Sequence, residues 1–196
     1  MTKGEETRER IVSRAYLVAG RGGLEGLTIG ALADELKLSK SGLFAHFGSK
    51  EELQLEVLKE TERRYTDAVI KPALKAPRGL PRFKKLFELW LDWASSPANP
   101  GGCLFVAAAA ELDDREGRPR DYLVATQKQL LSFVAQAARL AVEQGHFKAD
   151  TDCDQLAQEV YGIVLAYHHF RRLMRDPNAD KGARTAFERL CRSVQR

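Results

Sequence analysis

Chemistry in this sequence is concentrated between Leu36 and Lys50. Lys37, Lys40, His46 and Lys50 stand there with no acidic residue among them, while Asp34 and Glu35 come just before and Glu51 and Glu52 just after. Ammonium groups in an acid-free window neutralise phosphates and release condensed counterions. Ser39, Ser41 and Gly42 lie between the lysines. Their small size lets a helix N-terminus approach base edges, and the hydroxyls donate and accept hydrogen bonds. That is the chemistry of nucleic-acid contact.

Catalytic chemistry has no comparable footing. The chain lacks Gly-x-Ser-x-Gly, a Gly-rich phosphate loop and His-Glu-x-x-His, so no catalytic residue is expected. His168 and His169 are neighbours and point to different sides of a helix, unlike an i, i+4 ligand pair. Cys103, Cys153 and Cys191 are odd in number and far apart, which supplies neither a metal site nor a disulfide framework. No metal and no cofactor are expected. Glu111, Asp113 and Asp114 read as a solvated acidic cluster at a helix end.

Net charge adds little. The 196 residues carry +4 overall, but the stretch up to Arg64 holds eleven basic and eleven acidic residues, so the excess lies later. The longest apolar run, Cys103 to Ala110, is far short of the ~20 residues that span a bilayer. The polar start, Met1 to Glu6, has no signal-peptide core, so a cytoplasmic location without membrane association is expected.

The elements that must position the window read as all-α. Apolar residues recur at three- and four-residue spacing, and no sustained alternation appears. A first helix from about Glu6 to Ala19 stops at the glycines from Gly20 to Gly23. Thr28 caps a second helix carrying Ile29, Leu32, Ala33 and Leu36. Lys37-Leu38-Ser39 leaves room only for a tight turn before a third helix, with Leu43, Phe44 and Phe47 as its apolar members. Gly48 ends it, and Ser49 with Glu52 forms a capping box for a fourth. Two short helices across a three-residue turn are a helix-turn-helix, whose second helix enters the major groove. The competing reading is a set of packing helices in an interaction module that binds no DNA.

The run from Leu27 to Leu36, the recognition stretch from Leu38 to Phe47 and the Ser49-Lys50-Glu51-Glu52-Leu53 opening together resemble the DNA-binding domain of the tetracycline-repressor (TetR) family. This resemblance covers about a quarter of the chain. It implies that Ser39, Lys40 and Ser41 approach bases or nearby phosphates, with Gly42 beside them, and that Thr28, His46 and Lys50 hold the backbone. Two positions depart from the family pattern. Phe44 replaces the usual Tyr, which should keep the packing and lose a phosphate hydrogen bond. Lys37 stands where Gly is common, adding a cation at a left-handed backbone position.

The expected organisation is a reader over residues 1–49 followed by a helical ligand-binding and dimerisation bundle over 50–196, with helix four (50–70) as connector and Lys71-Pro72 breaking or bending it. Further helices are predicted at Phe83–Ser95, Cys103–Asp114, Arg120–Gln144, Asp154–Arg175 and Gly182–Val194. Trp90, Trp93, Phe105, Phe133, Tyr161 and His168 are candidates to line an effector pocket. The resemblance further implies a homodimer formed by the last two helices, with Val160, Ile163, Val164, Tyr167, Phe170, Phe187, Leu190 and Val194 as apolar candidates. It also implies a double-stranded, near-palindromic operator, a small-molecule effector that remains unknown, and repression relieved through helix four.

Overall fold

The computed structural model describes residues 2–196, the side chain of Lys3 excepted. Its architecture is all-α, as expected. Among the described residues there is no strand, only one isolated antiparallel bridge between Phe147 and Gln195.

Helix α1 spans Lys3–Gly22 and is longer at both ends than the apolar spacing indicates. The extra N-terminal turn comes from a capping box. Thr2 Oγ1 accepts from the Glu5 amide at 3.2 Å, and the Glu5 carboxylate accepts from the Thr2 amide at 2.6 Å, which satisfies two otherwise unpaired donors. Gly23 ends the helix at φ +79°. Helices α2 (Ile29–Leu36) and α3 (Lys40–Phe47) follow, then α4 (Lys50–Tyr65).

Pro72 does not terminate the connector. A π turn at Thr66–Ile70 leads into α5 (Lys71–Leu74), so helical backbone runs through the proline. Proline cannot donate and its ring crowds the carbonyl four residues back. Just ahead of it the ladder has already widened: the Lys71 amide bonds Thr66 O, five residues away.

Helices α6 (Leu80–Ser95), α7 (Leu104–Leu112), α8 (Arg118–Glu143), α9 (Cys153–Arg172) and α10 (Ala179–Val194) complete the chain. Helix α9 stops short of the expected Arg175, which adopts a left-handed φ of 52°. Helix α10 starts earlier than expected, at Ala179.

The helices form two compact units. The first contains the chain up to Arg64 together with Pro97–Ala125; the second contains Tyr65–Ser96 and Thr126–Arg196. The unit around the reader therefore runs past residue 49. Ile11, Ala15, Leu24, Leu27, Leu43, Leu53 and Leu58 are fully buried within it. In the second unit Phe83, Phe87, Trp90, Val164, Tyr167 and Phe187 form the core. All three cysteines are buried thiols outside any disulfide.

Candidate nucleic-acid interface

The turn before α3 is built by two local devices. Lys37 takes a left-handed conformation (φ 55°, ψ 41°) as C-cap of α2, and its amide bonds Ala33 O and Asp34 O. Ser39 then caps α3, its Oγ accepting from the Gly42 amide at 3.0 Å. Thr28 does the same for α2 through the Ala31 amide at 3.1 Å. Ser41 Oγ lies 3.3 Å from Ser39 Oγ, and the Lys40 side chain extends across Gly30.

Leu43 (fully buried) and Phe47 hold α3 down, and the Arg8 guanidinium covers the Phe47 ring 5.1 Å from its centroid. Phe44 does not pack as expected. Its ring is 50% exposed, because one face of this short helix is filled by Leu43 and Phe47. Lys37, Ser39, Lys40, Ser41, Gly42 and Phe44 all stand exposed, whereas His46 is half-buried beside Phe47.

Lys50 is differently placed. Its ammonium donates to Glu25 O at 2.8 Å and to the Glu25 carboxylate at 3.2 Å. Gln54 donates to Leu24 O and to Glu25 Oε1, and Arg115 pairs with the same carboxylate at 2.8 Å. Burial acts to raise the Glu25 carboxyl, but hydrogen bonds from Gln54, Lys50 and Arg115 prevail and hold it below the ordinary carboxylate range. A phosphate must compete with Glu25 for Lys50.

The segment Pro97–Ala125 supplies the outer half of this arrangement. Glu111 on α7 is not solvated as its acidic neighbours are. Its carboxylate accepts from the Glu25 amide at 2.7 Å and fills the space beside Gly23. The Arg118 amide bonds Glu51 at 3.0 Å, and its guanidinium pairs with Glu52. The Ser49 hydroxyl still caps α4 through the Glu52 amide at 3.0 Å. Tyr122 donates to Glu62, and Tyr16 donates to Asn99. Glu25, Glu111 and Arg115 carry no local sequence signal, since their partners lie far along the chain.

The second unit gathers part of the expected effector set. Trp90 lies with Tyr161 at 6.0 Å between ring centroids. Tyr65, which the periodicity places only on the connector, meets Trp90 edge-on at 5.9 Å and Trp93 at 5.8 Å. The Tyr161 hydroxyl donates to Gln127 at 3.1 Å. Trp90 Nε1 is buried and finds no acceptor among the described residues. Phe105 is buried but falls in the first unit. Phe133 on α8 and His168 on α9 are half-buried.

The apolar candidates on α9 and α10 divide in two. Val160, Val164, Tyr167 and Phe187 are at most 4% exposed, so they belong to the chain's own core and have almost no surface left for a partner. Both helices carry apolar residues on more than one side, and spacing alone does not tell an inner face from an outer one. Ile163, Phe170 and Leu190 instead line a groove of about 830 Å³ between α9 and α10, alongside Gly162, Ala166 and Gly182. Val194 is half-buried at the end of α10.

Among the described residues no cluster of three His, Cys, Asp or Glu is placed to hold a metal ion, and no helix is long and apolar enough to cross a membrane.

A reader built on two capped helices, joined in one chain to a helical bundle, defines a class of helix-turn-helix regulators. The family model described as bacterial regulatory proteins, tetR family, matches residues 11–57. That of the tetracyclin repressor-like C-terminal domain matches residues 79–187. The chain belongs to the TetR family. A search of curated proteins gives no match.

Solved structures share the fold at low identity. A TetR transcriptional regulator from Chloroflexus aurantiacus aligns with 22% identity and a TM-score of 0.82, over 98% of this chain and 96% of that one. A transcriptional regulator from Saccharomonospora viridis in complex with choline aligns with 20% identity and a TM-score of 0.84, over 98% and 99%. AibR in complex with isovaleryl coenzyme A and operator DNA aligns with 18% identity and a TM-score of 0.75, over 93% and 96%.

Proposed function

We propose that the chain is a DNA-binding, effector-responsive repressor that acts in the cytoplasm as a homodimer on a near-palindromic operator. The observation that carries this reading is the exposed, acid-free start of α3, where Ser39, Lys40, Ser41 and Gly42 stand clear of the core. A two-fold dimer sets its reading heads about 34–36 Å apart, or a multiple of that. Selection from a random DNA pool tests the reading directly. Enrichment of a palindrome is expected; a chain that enriches nothing is a helical interaction module instead. Lys40→Ala is expected to alter the enriched sequence rather than weaken all sequences alike. Unaltered preference would remove Lys40 from the base-reading set.

The α9–α10 groove is the surface proposed for the second copy, because apolar residues are exposed along it and beyond it. Phe170, Leu173 and Met174 are 46%, 71% and 59% exposed. Phe170→Asp is expected to shift the chain to monomer in analytical ultracentrifugation while leaving its helical content unchanged. A variant that stays dimeric would place the interface elsewhere.

The effector is proposed to act at the aromatic cluster of the second unit. Relatives crystallised with choline and with isovaleryl coenzyme A show that this fold accepts small molecules. The buried Trp90 N–H offers a donor for an acceptor atom on the effector. Trp90→Phe keeps the aromatic packing and removes that donor. It is expected to weaken effector-induced release from DNA by roughly 5- to 30-fold while leaving DNA affinity intact. Unchanged release in W90F, once an effector is in hand, would take Trp90 out of that site.

A further inference from the structure

We propose that Glu111 is a positioning residue for DNA reading: from α7 it grips the Gly23–Glu25 loop and so fixes where the helix-turn-helix sits. The proposal rests on the DNA-binding function above and adds a residue far from the recognition helix.

The Gly23–Glu25 loop leads straight into α2, so its position sets the start of the helix-turn-helix. Three hydrogen-bonding groups immobilise it from two sides. From α4, Lys50 takes Glu25 O, and Gln54 takes Leu24 O at 3.0 Å. From α7, the Glu111 carboxylate takes the Glu25 amide at 2.7 Å. A carboxylate accepting a backbone N–H is a strong, directional bond, and here it joins residues 86 positions apart. Gly23 is shaped to admit it. Its φ of +79° favours glycine, and a Cβ there would overlap the Glu111 carboxylate.

Arg115, on the turn after α7, takes the Glu25 side chain from the same direction. Glu25 is thus held at its amide, its carbonyl and its carboxylate. Glu111 and Arg115 both belong to Pro97–Ala125, whose chain continues into the second unit at Ser96 and at Thr126. Neither touches α3, so their effect on DNA is one of position.

Operator affinity measured across salt concentrations tests this, using the full chain and the DNA enriched by wild type. Glu111→Ala is expected to weaken operator binding by about 10-fold with an unchanged salt slope, since no phosphate contact is removed. Affinity for unrelated DNA should stay within about 2-fold. Glu111→Gln keeps an acceptor oxygen for the Glu25 amide and is expected to restore most of the loss. Operator binding by E111A equal to wild type, or a changed salt slope, overturns the proposal. If E111A does not fold, Glu111→Asp, whose shorter side chain draws the carboxylate back from the Glu25 amide, decides it: weaker operator binding at constant slope supports positioning, and wild-type binding overturns it. Wild-type protein that enriches no DNA overturns the underlying function, a result distinct from either variant's failure.

Discussion

Gly101→Ala is expected to be among the most destabilising single-methyl additions in the chain, costing about 3 kcal/mol. A Cβ at Gly101 would coincide with the backbone carbonyl of Gly20. Backbone cannot rotate aside as a flexible side chain does, so α1 and the Pro97–Gly102 loop must separate. Tyr16 and Asn99, buried partners beside this contact, would be pulled apart with them. A thermal melt should fall by roughly 6–12 °C for a chain of this size. The reverse substitution provides the control. A Cβ on Gly20 comes no nearer than 3.6 Å to the Gly101 backbone, an ordinary contact. Gly20→Ala, inside α1, is therefore expected to stabilise by about 0.5–1 kcal/mol through helix propensity. Equal effects from the two alanines would show that the two backbones do not meet in this way.

The second large effect is expected from Phe187→Ala, at about 3–5 kcal/mol. Phe187 on α10 stacks on Phe87 with ring centroids 3.9 Å apart and planes within 5°, and it lies against Phe83 at 5.5 Å. Phe83 in turn meets Phe147 edge-on at 5.5 Å. Removing the ring leaves a cavity in an aromatic stack that ties α10 to α6. Phe187→Leu retains most of the volume and is expected to cost less than about 1.5 kcal/mol. Chemical denaturation measures both, and sedimentation separates loss of fold from loss of assembly. A Phe187→Ala chain that keeps its full stability but becomes monomeric would return Phe187 to the dimer surface, where the family resemblance puts it.

The contrast between these elements shows where sequence reading succeeds. The reader was legible because its signals are local. Thr28 and Ser39 cap helices three residues away, Lys37 accepts a left-handed turn, and Leu43 and Phe47 occupy one face. Phe44 stands exposed although apolar; a short helix gives too little periodicity to place a third apolar residue. Glu25, Glu111 and Arg115 were invisible for another reason. Their meaning lies in contacts between positions 86 and 90 apart in number, which no local pattern encodes. The π turn falls between these cases: Pro72 announced a disturbance, but whether the helix would break or widen depended on what packs around it.

The pairing of Lys50 with Glu25 has a consequence for how the protein would find its site. Of the three lysines in the acid-free window, one already has a carboxylate for company, leaving Lys37 and Lys40 as its uncommitted ammonium groups. With Lys40 on a base edge, as proposed above, the two Lys37 ammonium groups of the proposed dimer would add only about −1.8 to a log–log salt slope. On the proposed function, a recognition window so lightly charged would have little hold on unrelated DNA. Fewer copies would be sequestered on unrelated sequence, and occupancy of the operator would depend on correct base contacts more than on charge.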